Sequence, residues 1–149
     1  MSLYLEHRKC YIACKEAEKM VEAILDEREV LLQRVQPKSS LAEHEREHMP
    51  SNPQGGGQRV NKAEEFVIEA ERRKIRERLE DARELLADRR ELLVQKEAEL
   101  LKSRDVYNVI YSCKWVYGMK ADAIVQYTNY SRSQIYAIIK HIKRQIERN

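Results

Sequence analysis

The sequence predicts an all-α chain: two long, coiled-coil-like helices forming an elongated stalk, and a small C-terminal head of three helices. Three observations carry this expectation. All three prolines (Pro37, Pro50, Pro53) and three of the four glycines (Gly55, Gly56, Gly57) fall within residues 36–60, leaving long uninterrupted stretches on either side. On both sides, apolar residues recur at three- and four-residue intervals, the period of a helix rather than a strand. Near the C-terminus, Gly118 then divides one short helical pattern from a closely spaced pair.

Residues 1–35 form the first long helix. Between residues 3 and 35 there is neither Gly nor Pro, and Leu5, Ile12, Met20, Ile24, Leu31 and Val35 are set among Glu, Lys and Arg. Residues 36–60 read as a Pro/Gly-rich linker with a helical turn around Ala42 to Glu47. Residues 61–102 form the second long helix, on which Ile75, Leu79, Ala82, Leu86, Leu93 and Leu100 follow a three-four heptad spacing. Arg89 and Lys96 interrupt that seam where a dimeric coiled coil prefers Leu. A helix of ~40 residues spans roughly 60 Å, longer than a globular core requires, so its stripe must be buried against the first helix, a second copy, or both. The linker is long enough for antiparallel fold-back or for docking in different subunits, and both arrangements stay open. The seam exceeds what a partner of ~33 residues covers along its whole length, so a homo-oligomer, most simply a dimer through the stalk, is expected.

Residues 103–149 form the head. Val106, Val109, Ile110, Cys113, Val116 and Tyr117 follow helical spacing, and Gly118 ends that helix. Gly118 to Ile146 then reads as a helix-turn-helix: a short helix through Ile124 and Tyr127, a turn at Thr128-Asn129-Tyr130, and a second helix opening at Ser131. Asn129 occupies the place where such a turn often takes a left-handed residue. Ser131 and Gln134 have capping-box spacing. Ile135, Ile138, Ile139, Ile142 and Ile146 make one apolar stripe, which leaves Arg132, Ser133, Tyr136, Lys140 and Lys143 on the wet side. A capped helix with a basic, aromatic outer face suits the major groove of DNA. About 45 residues is close to the lower limit for independent folding, so the head should lean on the helices before it.

The charge distribution agrees with this assignment. Residues 103–149 hold 8 Lys/Arg against 3 Asp/Glu, a balance of +5, whereas residues 1–102 hold 20 against 22, a balance of −2. Polyanion affinity follows local cation density more than whole-chain charge. Six of the eight tyrosines also lie in the head, and most are expected in its core, with Tyr136 outside.

Three features invite enzymatic readings, and each yields to a plainer one. His44-Glu45-Arg46-Glu47-His48 has the spacing of a zinc-protease helix, but Arg46 and Glu47 put charge between the ligands, and Pro and Gly flank the segment. Gly55-Gly56-Gly57 has no buried strand before it and no Gly-Lys-Ser/Thr after it, so it reads as a joint and not a phosphate cradle. Cys10 and Cys14 lie one helical turn apart with Cys113 far away, which fits free thiols in a reducing cytoplasm. The chain is accordingly expected to be a non-enzyme with no metal and no cofactor. It should be cytoplasmic and have no membrane segment.

The order of parts resembles a known family. A charged helix, a break with Pro then Gly-Gly, a second charged helix, and Gly118-Met119-Lys120…Ile124…Asn129-Tyr130-Ser131-x-x-Gln134-Ile135-Tyr136 look like the ArpU/RinA-type phage late-transcription regulators. The resemblance covers most of the chain in layout and is motif-specific from Asp105 to Ile146. Lys120 stands where that family usually has a Thr or Ser cap, Val125 where it commonly has a small Ala, and Thr128 where Leu usually fills the core. The resemblance implies a C-terminal domain similar to region four of sigma factors, and a sequence-specific activator of phage or prophage late genes. The implied partners are double-stranded promoter DNA and bacterial RNA polymerase. It further implies base reading by Arg132, Ser133 and Tyr136, and phosphate contacts by Lys120, Lys140, Lys143 and Arg144. Two other classes remain open: a small terminase-like DNA-packaging protein, although its DNA-binding part is commonly N-terminal, and a helical protein-protein interaction module.

Overall fold

The computed structural model describes residues 2–35 and 62–149. It contains helices α1 (Leu3–Val35), α2 (Lys62–Lys102), α3 (Val106–Tyr111), α4 (Ala121–Tyr127) and α5 (Arg132–Arg148), with a π-helical segment at Ser112–Val116 continuing α3. There is no strand among the described residues. Both long helices start and end within two residues of the expected bounds. The chain divides into two compact units, Met1–Ala17 with Leu85–Asn149, and Glu18–Glu84.

In the Glu18–Glu84 unit, α1 and α2 pair antiparallel. Arg78 donates to both carboxylate oxygens of Glu27 at 2.6 and 3.3 Å, and Arg34 lies 3.6 Å from Glu71. Glu27 precedes Arg34 in α1, whereas Arg78 follows Glu71 in α2, which fixes the opposite directions. Fold-back within one chain is therefore the arrangement in this unit. Ile24, Leu79 and Ala82 form its buried centre, flanked by Val21, Leu25 and Ile75. Burying a Leu or Ile side chain stabilises by about 1.5–3 kcal/mol, whereas exposed ion pairs add little, so the apolar stripe holds this pair and the charges set its register.

In the other unit the two cations that interrupt the seam are accounted for within the chain. Arg89 donates to the Ala13 carbonyl at 2.9 Å, and Lys96 donates to Glu6 at 3.2 Å and to Glu99 at 3.3 Å. Each long side chain carries its charge past the apolar stripe to an acceptor, so neither needs a partner from another copy. Leu86 and Leu100 are buried here, and Leu79 and Ala82 are buried in the other unit. Of the six seam residues, Leu79, Ala82, Leu86 and Leu100 are thus buried within one chain, and Ile75 and Leu93 are half-buried.

The remaining helices pack around Ile110, Tyr111, Cys113, Ile124, Ile135, Ile138, Ile139 and Ile142, and Tyr4 and Leu100 belong to the same core. The C-terminal segment does lean on its surroundings, through the first turn of α1 and the last turn of α2. Asp105 caps α3 by accepting from the Tyr107 N–H at 2.9 Å. After Tyr111 the expected α-helix widens. Tyr117 N–H reaches back to the Ser112 carbonyl at 3.0 Å, an i→i−5 bond, and Gly118 then ends the segment at φ +68°. The extra residue in the turn rotates the positions after it, and Tyr117 ends up 59% exposed rather than continuing the apolar stripe.

Two further expectations are corrected. No non-glycine residue among those described has positive φ, so Asn129 is not left-handed. Thr128 instead leaves α4 in an extended conformation (φ −110°, ψ 163°), and Ser131 enters α5 in another (φ −68°, ψ 153°), so the turn is made without a left-handed residue. The tyrosines of residues 103–149 are also mostly outside the core. Tyr111 alone is fully buried and Tyr130 is half-buried, whereas Tyr107, Tyr117, Tyr127 and Tyr136 are exposed. Isoleucine supplies the core volume that the tyrosines were expected to fill.

Candidate nucleic-acid interface

Helix α4 is short, and Ile124 anchors it with no exposed surface. Lys120 occupies its N-cap position without a side-chain cap bond, and its ammonium end is left on the surface. At the other end, Thr128 turns its hydroxyl back on its own helix and donates to the Ile124 carbonyl at 2.8 Å. The same carbonyl also accepts from the Thr128 backbone N–H at 2.9 Å, so the hydroxyl is satisfied within its own helix end, which explains how Thr stands at a position where a Leu would fill core. Val125 is half-buried against the same core.

Helix α5 opens on the expected cap. The Ser131 hydroxyl accepts from the Gln134 N–H at 3.3 Å, and the Ser133 hydroxyl lies 3.4 Å from it. The Gln134 side chain itself is exposed. Ile135, Ile138, Ile139 and Ile142 are buried and Ile146 is half-buried, so the apolar stripe is where the spacing put it. Arg132, Ser133, Tyr136, Lys140, Lys143 and Arg144 are all exposed. At about 100° per residue these six fall within roughly a third of the helix circumference, a separate arc from that of the isoleucines, with Arg132 at the edge nearest Ile139. The face carries four cations, one hydroxyl and one phenol, chemistry suited to phosphates, base edges and thymine methyls.

The neighbours of this face include one anion. Arg132 Nη2 donates to Asp122 Oδ1 at 2.7 Å, joining the first residue of α5 to the first turn of α4. Tyr127, 75% exposed at the end of α4, adds an aromatic side chain at the turn. Sequence reasoning missed both. Asp122 sits ten residues from Arg132 with no periodic relation to it, and Tyr127 is indistinguishable from a core residue by type alone. His141 is exposed on α5, its ring edge-on to Tyr107 at 5.3 Å between centroids.

The other candidate chemistry gathers no site among the described residues. His44, His48 and Gly55 to Gly57 lie outside them. Cys10, Cys14 and Cys113 form no disulfide with one another, and burial pushes the Cys113 thiol up, away from the reactive thiolate. No group of three or more His, Cys, Asp or Glu among the described residues is arranged to hold a metal ion. No described helix is long and apolar enough to cross a membrane.

The most ordered polar arrangement is elsewhere, around the buried ring of His7. It lies between Tyr111, at 2.7 Å from Nδ1, and Glu97, at 3.3 Å from Nε2. Tyr111 is stacked on Trp115 (5.4 Å between centroids) and tilted against Tyr4 (5.7 Å). Burial raises the Tyr111 phenol to about 12, so it stays a neutral donor, and the same cause lowers the His7 pKa. With Tyr111 fully buried and His7 3% exposed, this network has no approach for a substrate and reads as structural.

No protein-family model matches this chain, and no curated protein or solved structure matches it.

Proposed function

We propose that α4, the turn at residues 128–131 and α5 act as a helix-turn-helix, and that the protein is a sequence-specific DNA-binding transcriptional regulator. In this reading α5 lies in the major groove. Arg132, Ser133 and Tyr136 meet base edges from its first turns, and Lys120, Lys140, Lys143 and Arg144 hold phosphates. The observation that carries the proposal is the division of α5 into a buried isoleucine stripe and a separate exposed face of cations, hydroxyl and phenol, behind a hydroxyl cap. The chain works by binding rather than by chemistry, and a late-gene activator of the ArpU/RinA type, with RNA polymerase as its protein partner, is the regulator it fits. Two copies on two half-sites would suit the usual geometry of such proteins. That geometry and the half-buried seam positions Ile75 and Leu93 favour a dimer, and sedimentation equilibrium at tens of micromolar tests it.

The deciding experiment is a pull-down of fragmented genomic DNA from the source organism with the full chain, followed by sequencing. Enrichment of promoter fragments is expected. Enrichment of packaging sites would assign the protein to DNA packaging, and uniform recovery would remove sequence-specific binding altogether.

A further inference from the structure

We propose that Asp122 is a positioning residue for base recognition: it holds the Arg132 guanidinium in place and raises discrimination between sequences, not affinity for DNA of any sequence. This rests on the reading of α5 as the DNA-contacting helix. Residues 103–149 contain only three acidic residues. Asp105 caps α3, and Glu147 is in the last turn of α5. The third, Asp122, is 2.7 Å from the arginine that opens the proposed reading face. Both side chains are about two-thirds exposed, at 66% for Arg132 and 69% for Asp122. An ion pair so open to water contributes little to folding, so stability alone is a weak reason for this carboxylate. On a surface meant for a polyanion it also carries a Coulombic cost.

What the pair provides is orientation. A guanidinium has five N–H donors, and one is engaged by Asp122 Oδ1, so a fork remains for the two acceptors of a guanine edge. Arginine loses substantial rotamer freedom when fixed, and a contact across the turn from α4 removes part of that loss before DNA arrives. A tethered guanidinium is also less able to swing to the nearest phosphate, a contact equally good on any sequence. Together these lower binding to random DNA relative to the right site.

The experiment uses the full chain and duplexes selected by the wild type from a random-sequence pool, each paired with a scrambled control. Asp122→Asn keeps the shape and removes the charge. Its ratio of selected to scrambled affinity should fall about tenfold, the scale of one base contact. Its affinity for the scrambled duplex should stay equal or tighten, because a negative charge has left the face. Asp122→Glu should restore part of the ratio. With Arg132→Ala already present, Asp122→Asn should change the ratio no further. If Asp122→Asn keeps the wild-type ratio while Arg132→Ala loses it, the positioning role is overturned and the DNA-reading helix stands. A parallel fall in both affinities would make Asp122 structural and also overturn the role. A pool that yields no preferred sequence, or an Arg132→Ala ratio equal to the wild type, would take down the reading on which the proposal rests.

Discussion

His7 and Tyr111, 104 residues apart in the chain, are joined by a hydrogen bond of 2.7 Å. Its direction is set by the other side of the ring. Glu97 can only accept as a carboxylate, so His7 Nε2 carries the proton and donates to it at 3.3 Å. Neutral Nδ1 is then an acceptor, and the Tyr111 hydroxyl, held protonated by its raised pKa, donates to it. Protonating Nδ1 would set two donors against each other unless the Tyr111 hydroxyl turned round. The bond ties the first turns of α1 to α3, at the edge of the core that supports α5.

Stability should therefore depend on the His7 proton. Burial lowers its pKa below the usual 6.5, more than the Glu97 contacts raise it, and Arg8 lowers it further. In the unfolded chain the same imidazole titrates at its ordinary value. Below about pH 6.5 the unfolded state binds a proton that the folded state refuses, so stability falls as pH falls and is fully present above that value. Denaturant unfolding of the wild type should show this loss between pH 7.5 and 5.5, and His7→Gln should flatten it. Equal pH slopes in the two proteins would show that another group controls this window.

Gly118 ends the π segment at φ +68°, and a Cβ built there would meet nothing within 4 Å. The cost of Gly118→Ala is thus conformational and free of any clash. It should destabilise by about 1–2 kcal/mol, and Gly118→Asn by less, because Asn tolerates the left-handed region better. Equal losses for Ala and Asn in denaturant melts would count against a backbone origin.

The sequence made the long helices and the isoleucine face of α5 legible because both are periodic, and period is what burial on one side of a helix requires. The Gly118 stop was legible for a similar reason: few residues other than Gly take that backbone. The π turn at Ser112–Val116 was not, since inserting one residue leaves the composition of a helix unchanged. Nor were the partners of Arg89 and Lys96. As residue types they looked like faults in a seam between copies, and only the antiparallel register brings Ala13 and Glu6 to them. The same holds at the candidate interface, where the outward residues of α5 are given by spacing but Asp122 meets Arg132 only through the angle between two helices.

Ser131 should act through folding and not through recognition. Its hydroxyl caps α5 by accepting from the Gln134 N–H, and losing such a cap costs about 1 kcal/mol. Ser131→Ala should lower the unfolding free energy by roughly that amount. Its preference for selected over scrambled duplex should stay unchanged once binding is measured well below the melting temperature. A lost preference with unchanged stability would reassign the hydroxyl to the DNA-contacting set.

Arg132 and Lys140 are exposed on the same face of α5 but should fail in different ways. Arg132 sits at the start of the helix, where a groove-bound helix meets base edges. Arg132→Ala should cost roughly 1–3 kcal/mol on the selected duplex and much less on a scrambled one. Lys140 lies two turns further on, where a compact ammonium is placed for phosphate. A phosphate contact releases about one counterion whatever the sequence. Lys140→Ala should weaken binding to both duplexes alike and reduce the slope of log affinity against log salt by roughly one. Isotherms on both duplexes at several salt concentrations separate the two signatures. If Arg132→Ala weakens both duplexes in parallel, bases are not read through that residue. If neither substitution changes binding, α5 does not face DNA, and its cationic side must serve a protein partner instead.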